Sequence, residues 1–105
     1  MKDQFLEHLL SIIKSKKDEN PKVSYTAMLQ QEDIIETLKK IEEEAFEVIE
    51  AAKLKNKNDI IHEIADLWFH CLVLLSQKNL SVNDVIVELK RREGTSGIEE
   101  KSSRK

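Results

Sequence analysis

The chain has 105 residues, 35% of them charged and 40% hydrophobic, with a formal net charge of −3. That length suits one domain with a modest core, and the slight acidity creates no field that would draw the protein to nucleic acid. Two Gly, one Pro and a single cysteine, Cys71, argue against a turn-rich or disulfide-stapled fold and for helices in a reduced, cytoplasmic setting.

Residues 3–16 place Phe5, Leu6, Leu9, Leu10, Ile12 and Ile13 at spacings that build one apolar helix face. Lys14 to Lys22 is polar, includes Pro21 and reads as a loop. Ser24 is positioned to cap a short helical turn through Tyr25, Thr26 and Ala27. A long helix is expected over about 33–54, with the stripe Ile34, Leu38, Ile41, Ala45, Val48 and Ala52. Lys55 to Asn58 interrupts it, with Asn56 or Asn58 as the next cap. The helix over about 58–78 is apolar around most of its circumference, which predicts a central position. Asn79 to Ser81 forms a turn, and Ser81 with Asp84 matches a capping box for a last helix ending near Arg92. From Gly94 onward the sequence is small and polar. The expected organisation is an all-α four-helix domain over 1–93 and a disordered tail over 94–105. The longest apolar run contains His70 and follows Asp66, so no membrane span is expected, and the N-terminal stretch has no signal-peptide apolar core. A helical domain this small gains stability by pairing with a second copy, so a homodimer is expected.

The carboxylates carry the chemistry. On the second long helix, Glu63 and Asp66 lie within the most apolar stretch of the chain, where unpaired charge is costly. At roughly 100° per residue, Asp59, Glu63, Asp66 and His70 share an arc of about 60°. On the preceding helix, Glu44 and Glu47 flank the apolar stripe, with Glu43 further round. If the helices pack as neighbours, the two acid pairs face each other. Two such charges about 6 Å apart repel by roughly 3 kcal/mol at an effective dielectric near 20. Raised carboxylate pKa values or a bound cation would relieve that repulsion. An all-oxygen set suits Mg²⁺ or Mn²⁺ rather than Zn²⁺, and Mg²⁺ keeps positions for water and phosphate oxygens. His62 has no second histidine four positions on, so the zinc-protease helix motif is absent. His70 reads either as a hydrogen-bonded core residue or as a substrate contact, and Trp68 and Phe69 read as core.

Three segments resemble a known family. They are Ser24-Tyr25-Thr26-Ala27, Lys40-Ile41-Glu42-Glu43-Glu44-Ala45-Phe46-Glu47 with Ala51-Ala52-Lys53, and His62-Glu63-Ile64-Ala65-Asp66-Leu67-Trp68-Phe69-His70. With Glu88-Leu89-Lys90-Arg91-Arg92 they look like phosphoribosyl-ATP pyrophosphatase, a member of the MazG-like all-α nucleotide pyrophosphohydrolases, over about residues 5–92. The resemblance implies a MazG-like bundle, a cytoplasmic homodimer and Mg²⁺ dependence. The implied reaction is hydrolysis of phosphoribosyl-ATP to phosphoribosyl-AMP and pyrophosphate in histidine biosynthesis. It carries the metal-ligand role onto Glu44, Glu47, Glu63 and Asp66, with Glu43 as ligand or neighbour and Glu43 or Glu44 as the acceptor of the water proton. Lys40, Lys53, Arg91 and Arg92 are candidates for phosphate contact, Tyr25 for contact with the base or ribose, and His70 for a substrate contact. The chain departs from the family pattern at Asp33, where Gly is usual, and at Glu36, near a usual basic residue. Two rival readings are a pyrophosphohydrolase of ordinary or damaged nucleoside triphosphates and a non-enzymatic helical adaptor for a basic partner.

Overall fold

Two 21-residue helices, α3 (Ile34–Leu54) and α4 (Lys57–Gln77), form an antiparallel hairpin about 30 Å long at 1.5 Å per residue. In the computed structural model, which describes residues 2–54, 56–94 and 97–98, three shorter helices pack around one end of this hairpin. They are α1 (Lys2–Ser15), α2 (Tyr25–Gln31) and α5 (Val82–Arg92). The described residues contain only helices and turns, as expected of an all-α chain. The turn expected at Ser24 extends to a full seven-residue helix, making five helices among the described residues rather than four. The tail expected from Gly94 onward falls largely outside the described residues.

Each helix start has a side-chain cap that satisfies otherwise orphaned amides, except α1, whose first residues are at the edge of the description. Ser24 accepts from the Ala27 N–H at 3.1 Å, and Asn56, not Asn58, accepts from the Asp59 N–H at 3.2 Å. Ser81 and Asp84 form the reciprocal capping box at 3.0 and 3.1 Å. The hydrogen bonds to Ser81 hold the Asp84 carboxyl below its usual range. Asp33 Oδ1 accepts from the Ile35 N–H at 2.9 Å, and Glu36 lies in the first turn of α3 with Lys39 at 3.7 Å. Negative charge at a helix N-terminus complements its dipole. The two acidic departures from the family pattern therefore have a local role in starting α3. At the same end of the hairpin Asn79 takes a left-handed φ of 58°, and the Leu80 N–H returns to the Leu75 carbonyl at 2.8 Å, which closes α4.

The apolar core gathers Leu10 and Ile13 of α1, Leu29 of α2, Leu72 and Val73 of α4, and Val82 of α5. Polar side chains knit the same end together. Gln30 donates to the Ile13 carbonyl at 2.7 Å and accepts from the Ser76 hydroxyl, and Gln31 donates to the carbonyls of Lys17 and Glu19 at 2.9 and 2.8 Å. The loop after α1 is thereby tied to α2.

The far half of the hairpin is different. Among the described residues between 43 and 67 only Ala51 is buried, and none of them belongs to the core cluster. Phe46, Ile61 and Trp68 are 60%, 61% and 57% exposed. Trp68 is thus not a core residue of the single chain. The helix that carries it is central, as its all-round apolarity predicts, and Trp68 lines an open apolar cavity with Leu6 of α1 and Val85 and Leu89 of α5.

Candidate functional site

The carboxylates lie on this far half of the hairpin. Because α3 and α4 run antiparallel, Glu44 and Glu47, one turn apart on α3, come opposite Glu63 and Asp66, one turn apart on α4. One carboxylate oxygen from each of Glu44, Glu47 and Glu63 lies within 4.8 Å of the other two. A second group of His62, Glu63 and Asp66 meets the same limit, with Glu63 common to both. His62 Nε2 is 3.3 Å from Asp66 Oδ2. The sequence reading gave His62 no role in this cluster. Its four-residue spacing from Asp66, which puts the two on one helix face, is the signal that would have placed it there.

The electrostatics of the cluster are those of crowded, partly desolvated acids. Burial pushes the Glu44 carboxyl above its ordinary range, and Glu47, Asp66 and Glu63 push it further, against a lowering influence from His70. Burial likewise raises Glu63, followed by the hydrogen bond and charge of Glu47, with His62 pulling the other way and Asp66 adding to the rise. One oxygen of Glu44 and one of Glu63 are buried without any hydrogen-bond partner. Buried acceptors with no donor are rare and call for an explanation. Converging carboxylate oxygens with unused lone pairs fit a hard divalent cation.

The other residues singled out from sequence divide into near and far. Glu43 is exposed and its carboxylate lies 3.6 Å from Lys40, one turn before Glu44. Asp59 is exposed in the first turn of α4. Lys53 is exposed near the end of α3 and pairs with Glu50 at 3.4 Å. Arg91 and Arg92 lie in the last turn of α5, a helix packed chiefly on α1, and both clamp Glu88 at 2.8 and 3.0 Å. This double clamp holds the Glu88 carboxyl down to about 2. His70 is 5% exposed, one turn after Asp66, and engages both ring nitrogens. Nδ1 meets the Asp66 carbonyl at 2.8 Å, and Nε2 meets the Tyr25 hydroxyl at 3.3 Å. Tyr25 and His70, both candidate substrate contacts, are therefore in contact with each other, 45 positions apart in the chain.

Comparison with known proteins shows what the chain is similar to. A sequence model of the family described as phosphoribosyl-ATP pyrophosphohydrolase matches residues 6–93. The phosphoribosyl-ATP pyrophosphatase of Methylococcus capsulatus is 50% identical over 100 residues, covering 95% of this chain and 95% of that protein. The protein of the same name from Nitrosospira multiformis is 48% identical over 100 residues, with 95% and 83% covered. That from Neisseria meningitidis serogroup A is 43% identical over 104 residues, with 99% and 97% covered.

Proposed function

Because the chain belongs to the phosphoribosyl-ATP pyrophosphohydrolase family, we propose that it hydrolyses phosphoribosyl-ATP to phosphoribosyl-AMP and pyrophosphate in histidine biosynthesis. The observation that carries the reading at the level of chemistry is the convergence of Glu44, Glu47 and Glu63 with two buried, partnerless oxygens. Identity near one half over almost the whole chain favours the named substrate over ordinary nucleoside triphosphates.

Glu44, Glu47, Glu63 and Asp66 would hold Mg²⁺, or Mn²⁺ in its place. The ion supplies Lewis-acid charge for the phosphate oxygens and makes a water easier to deprotonate. The chain's own groups do the rest. By holding the ion, the four carboxylates would set where on the hairpin the reacting phosphates sit. A Glu44 oxygen not engaged by the ion would be placed to take the water proton. Glu43, exposed and beside Lys40, is the second candidate for that step. Lys40 is close enough in sequence and on the right helix to meet a phosphate oxygen. Lys53, Arg91 and Arg92 are held by Glu50 and Glu88 in the single chain and reach substrate only by exchanging those partners.

The exposed apolar face of Phe46, Ile49, Ile61 and Trp68 supports a homodimer in which this face of one hairpin covers that of its partner. No helix among the described residues is long and apolar enough to cross a membrane, and a cytoplasmic location follows from the proposed pathway. The helical tail-free domain over 1–93 is the unit to which this activity is assigned.

The test is pyrophosphate release from phosphoribosyl-ATP beside a panel of ordinary and damaged nucleoside triphosphates, with Mg²⁺ present and with it chelated. Preference for phosphoribosyl-ATP by two or more orders of magnitude is expected. Equal turnover of the panel would instead make the chain a broad triphosphate pyrophosphohydrolase.

A further inference from the structure

The carboxylate centre is not uniform in its donor atoms. Glu44, Glu47 and Glu63 make an all-oxygen group, whereas His62, Glu63 and Asp66 make a group with a nitrogen in it, and Glu63 belongs to both. The two histidines of α4 are held very differently. His70 is buried, with both ring nitrogens already engaged by Tyr25 and the Asp66 carbonyl. His62 is exposed, four positions before Asp66 on the same helix face, and its Nε2 approaches Asp66 Oδ2.

The spacing of that approach suits a shared ion better than a direct bond. A charge-assisted hydrogen bond between the pair would be about 2.7–2.9 Å long, and the separation is 3.3 Å. Around an octahedral cation with donors at about 2.1 Å, neighbouring donors stand roughly 3.0 Å apart and opposite donors roughly 4.2 Å. Donor atoms of His62, Glu63 and Asp66 all lie within 4.8 Å of one another, so small side-chain movements would bring all three onto one ion. A Glu63 oxygen is buried without a hydrogen-bond partner, which leaves the residue common to both groups with lone pairs to give. A proton on the imidazole before the ion arrives does not decide the outcome, because metal binding displaces protons from its ligands.

A nitrogen donor changes which ion is preferred. Mg²⁺ is hard, favours oxygen and gives up its waters reluctantly. First-row transition dications take nitrogen more readily, and increasingly so from Mn²⁺ to Co²⁺. The family resemblance places the ion on carboxylates alone, and His62 adds a donor of another kind to them. Resting on the cation role proposed above for this cluster, we propose that His62 is a nitrogen ligand of the bound ion beside Glu63 and Asp66. It tunes the centre of this chain toward first-row transition dications over Mg²⁺.

The experiment uses the full chain, with Mg²⁺, Mn²⁺ and Co²⁺ as probes. His62→Gln changes an exposed side chain and offers an oxygen in place of the nitrogen, so the fold is expected to stay intact. Pulsed electron paramagnetic resonance of Mn²⁺ bound to wild type should show the nitrogen coupling of a directly coordinated imidazole, and His62→Gln should lose it. In metal titrations followed by thermal midpoint, His62→Gln should raise the Kd for Mn²⁺ by at least about tenfold, the smallest loss typical even of a residue that only supports a ligand. The Kd for Co²⁺ should rise further, and that for Mg²⁺ by less than about threefold. No nitrogen coupling in wild type, or a coupling that survives in His62→Gln, overturns the proposal. So does an equal loss for all three ions, which would make His62 only an ion-pair partner of Asp66. Those results leave the reaction assignment standing, because turnover of phosphoribosyl-ATP is measured separately. A wild-type chain that binds its ion through His62 but does not hydrolyse phosphoribosyl-ATP overturns the reaction assignment alone.

Discussion

The two halves of the α3–α4 hairpin are stabilised in opposite ways. At the end formed by Ile34 and Gln77, α1, α2 and α5 bury Leu10, Ile13, Leu29, Leu72, Val73 and Val82 in one cluster. At the other half the same two helices carry half-buried Glu44, Glu63 and Asp66 and exposed Phe46 and Ile61, and among the described residues between 43 and 67 only Ala51 is buried. Apolar burial of about 25 cal/mol per Å² supports the first half without help. The second half is left with repulsion among its acids and uncovered apolar surface, which the proposed cation and partner copy would offset. Stability and chemistry are thus segregated along one pair of helices.

The sharpest way to break this contrast is Glu63→Gln, which removes a charge from both carboxylate groups at once. Turnover should fall by at least about a thousandfold, the scale of losing a metal-assisted reaction centre. In the absence of cation the variant should be as stable as wild type or more so, because a repelling charge is gone. With Mn²⁺ added it should lose most of the rise in thermal midpoint that wild type gains by mass action. Near-normal activity would end the account of the site.

Substitutions on the two halves should also differ in what they disturb. Leu29→Ala leaves a cavity in the core and should cost about 2–5 kcal/mol, a loss readable in urea denaturation. Phe46→Ser removes an exposed side chain, so its effect should appear in the oligomeric state by light scattering. A homodimer that survives Phe46→Ser and Trp68→Ser together would mean that another surface joins the copies.

The acid-range behaviour separates the halves again. Glu44 and Glu63 hold protons more tightly folded than unfolded, since their folded pKa values are raised. The cation-free chain therefore loses stability as pH rises from about 4.5 through those raised values. Glu88 has the opposite sign. Its contribution is present above the ordinary glutamate value of 4.5 and disappears as pH falls toward about 2. A thermal midpoint that peaks in mild acid without cation, and recovers at neutral pH when Mn²⁺ is added, is the expected profile. A cation-free midpoint that climbs steadily from pH 5 to 7.5 would contradict it.

The smallest effect concerns the start of α3. Asp33→Ala should cost about 1 kcal/mol through loss of the cap, and Asp33→Gly only a few tenths, with turnover affected little by either.

The sequence made some of this legible and not the rest, for reasons that differ by residue. Glu63 and Asp66 stood out because charge inside an apolar helix is costly, and Glu44 and Glu47 followed from helical geometry. Ser24, Asn56 and the Ser81–Asp84 box were readable because capping is local. The exposure of Trp68 was not, since hydrophobic character says that a residue seeks cover and not whether the cover lies in the same chain. The Tyr25–His70 contact spans 45 positions and depends on how α2 lies across α4, which no periodicity encodes. The cap made by Asp33 is equally local, an Asp directly before the first residue of α3.

The short link between Leu54 and Lys57 acts as a ruler for the reaction centre. Inserting one residue there would turn α4 by roughly 100° relative to α3 and slide it by about 1.5 Å, moving Glu63 away from Glu44 and Glu47. Most surface loops tolerate such insertions cheaply. In this chain, natural length variation should therefore gather in the connection after α1 and beyond α5, while the tip of the hairpin stays fixed in length.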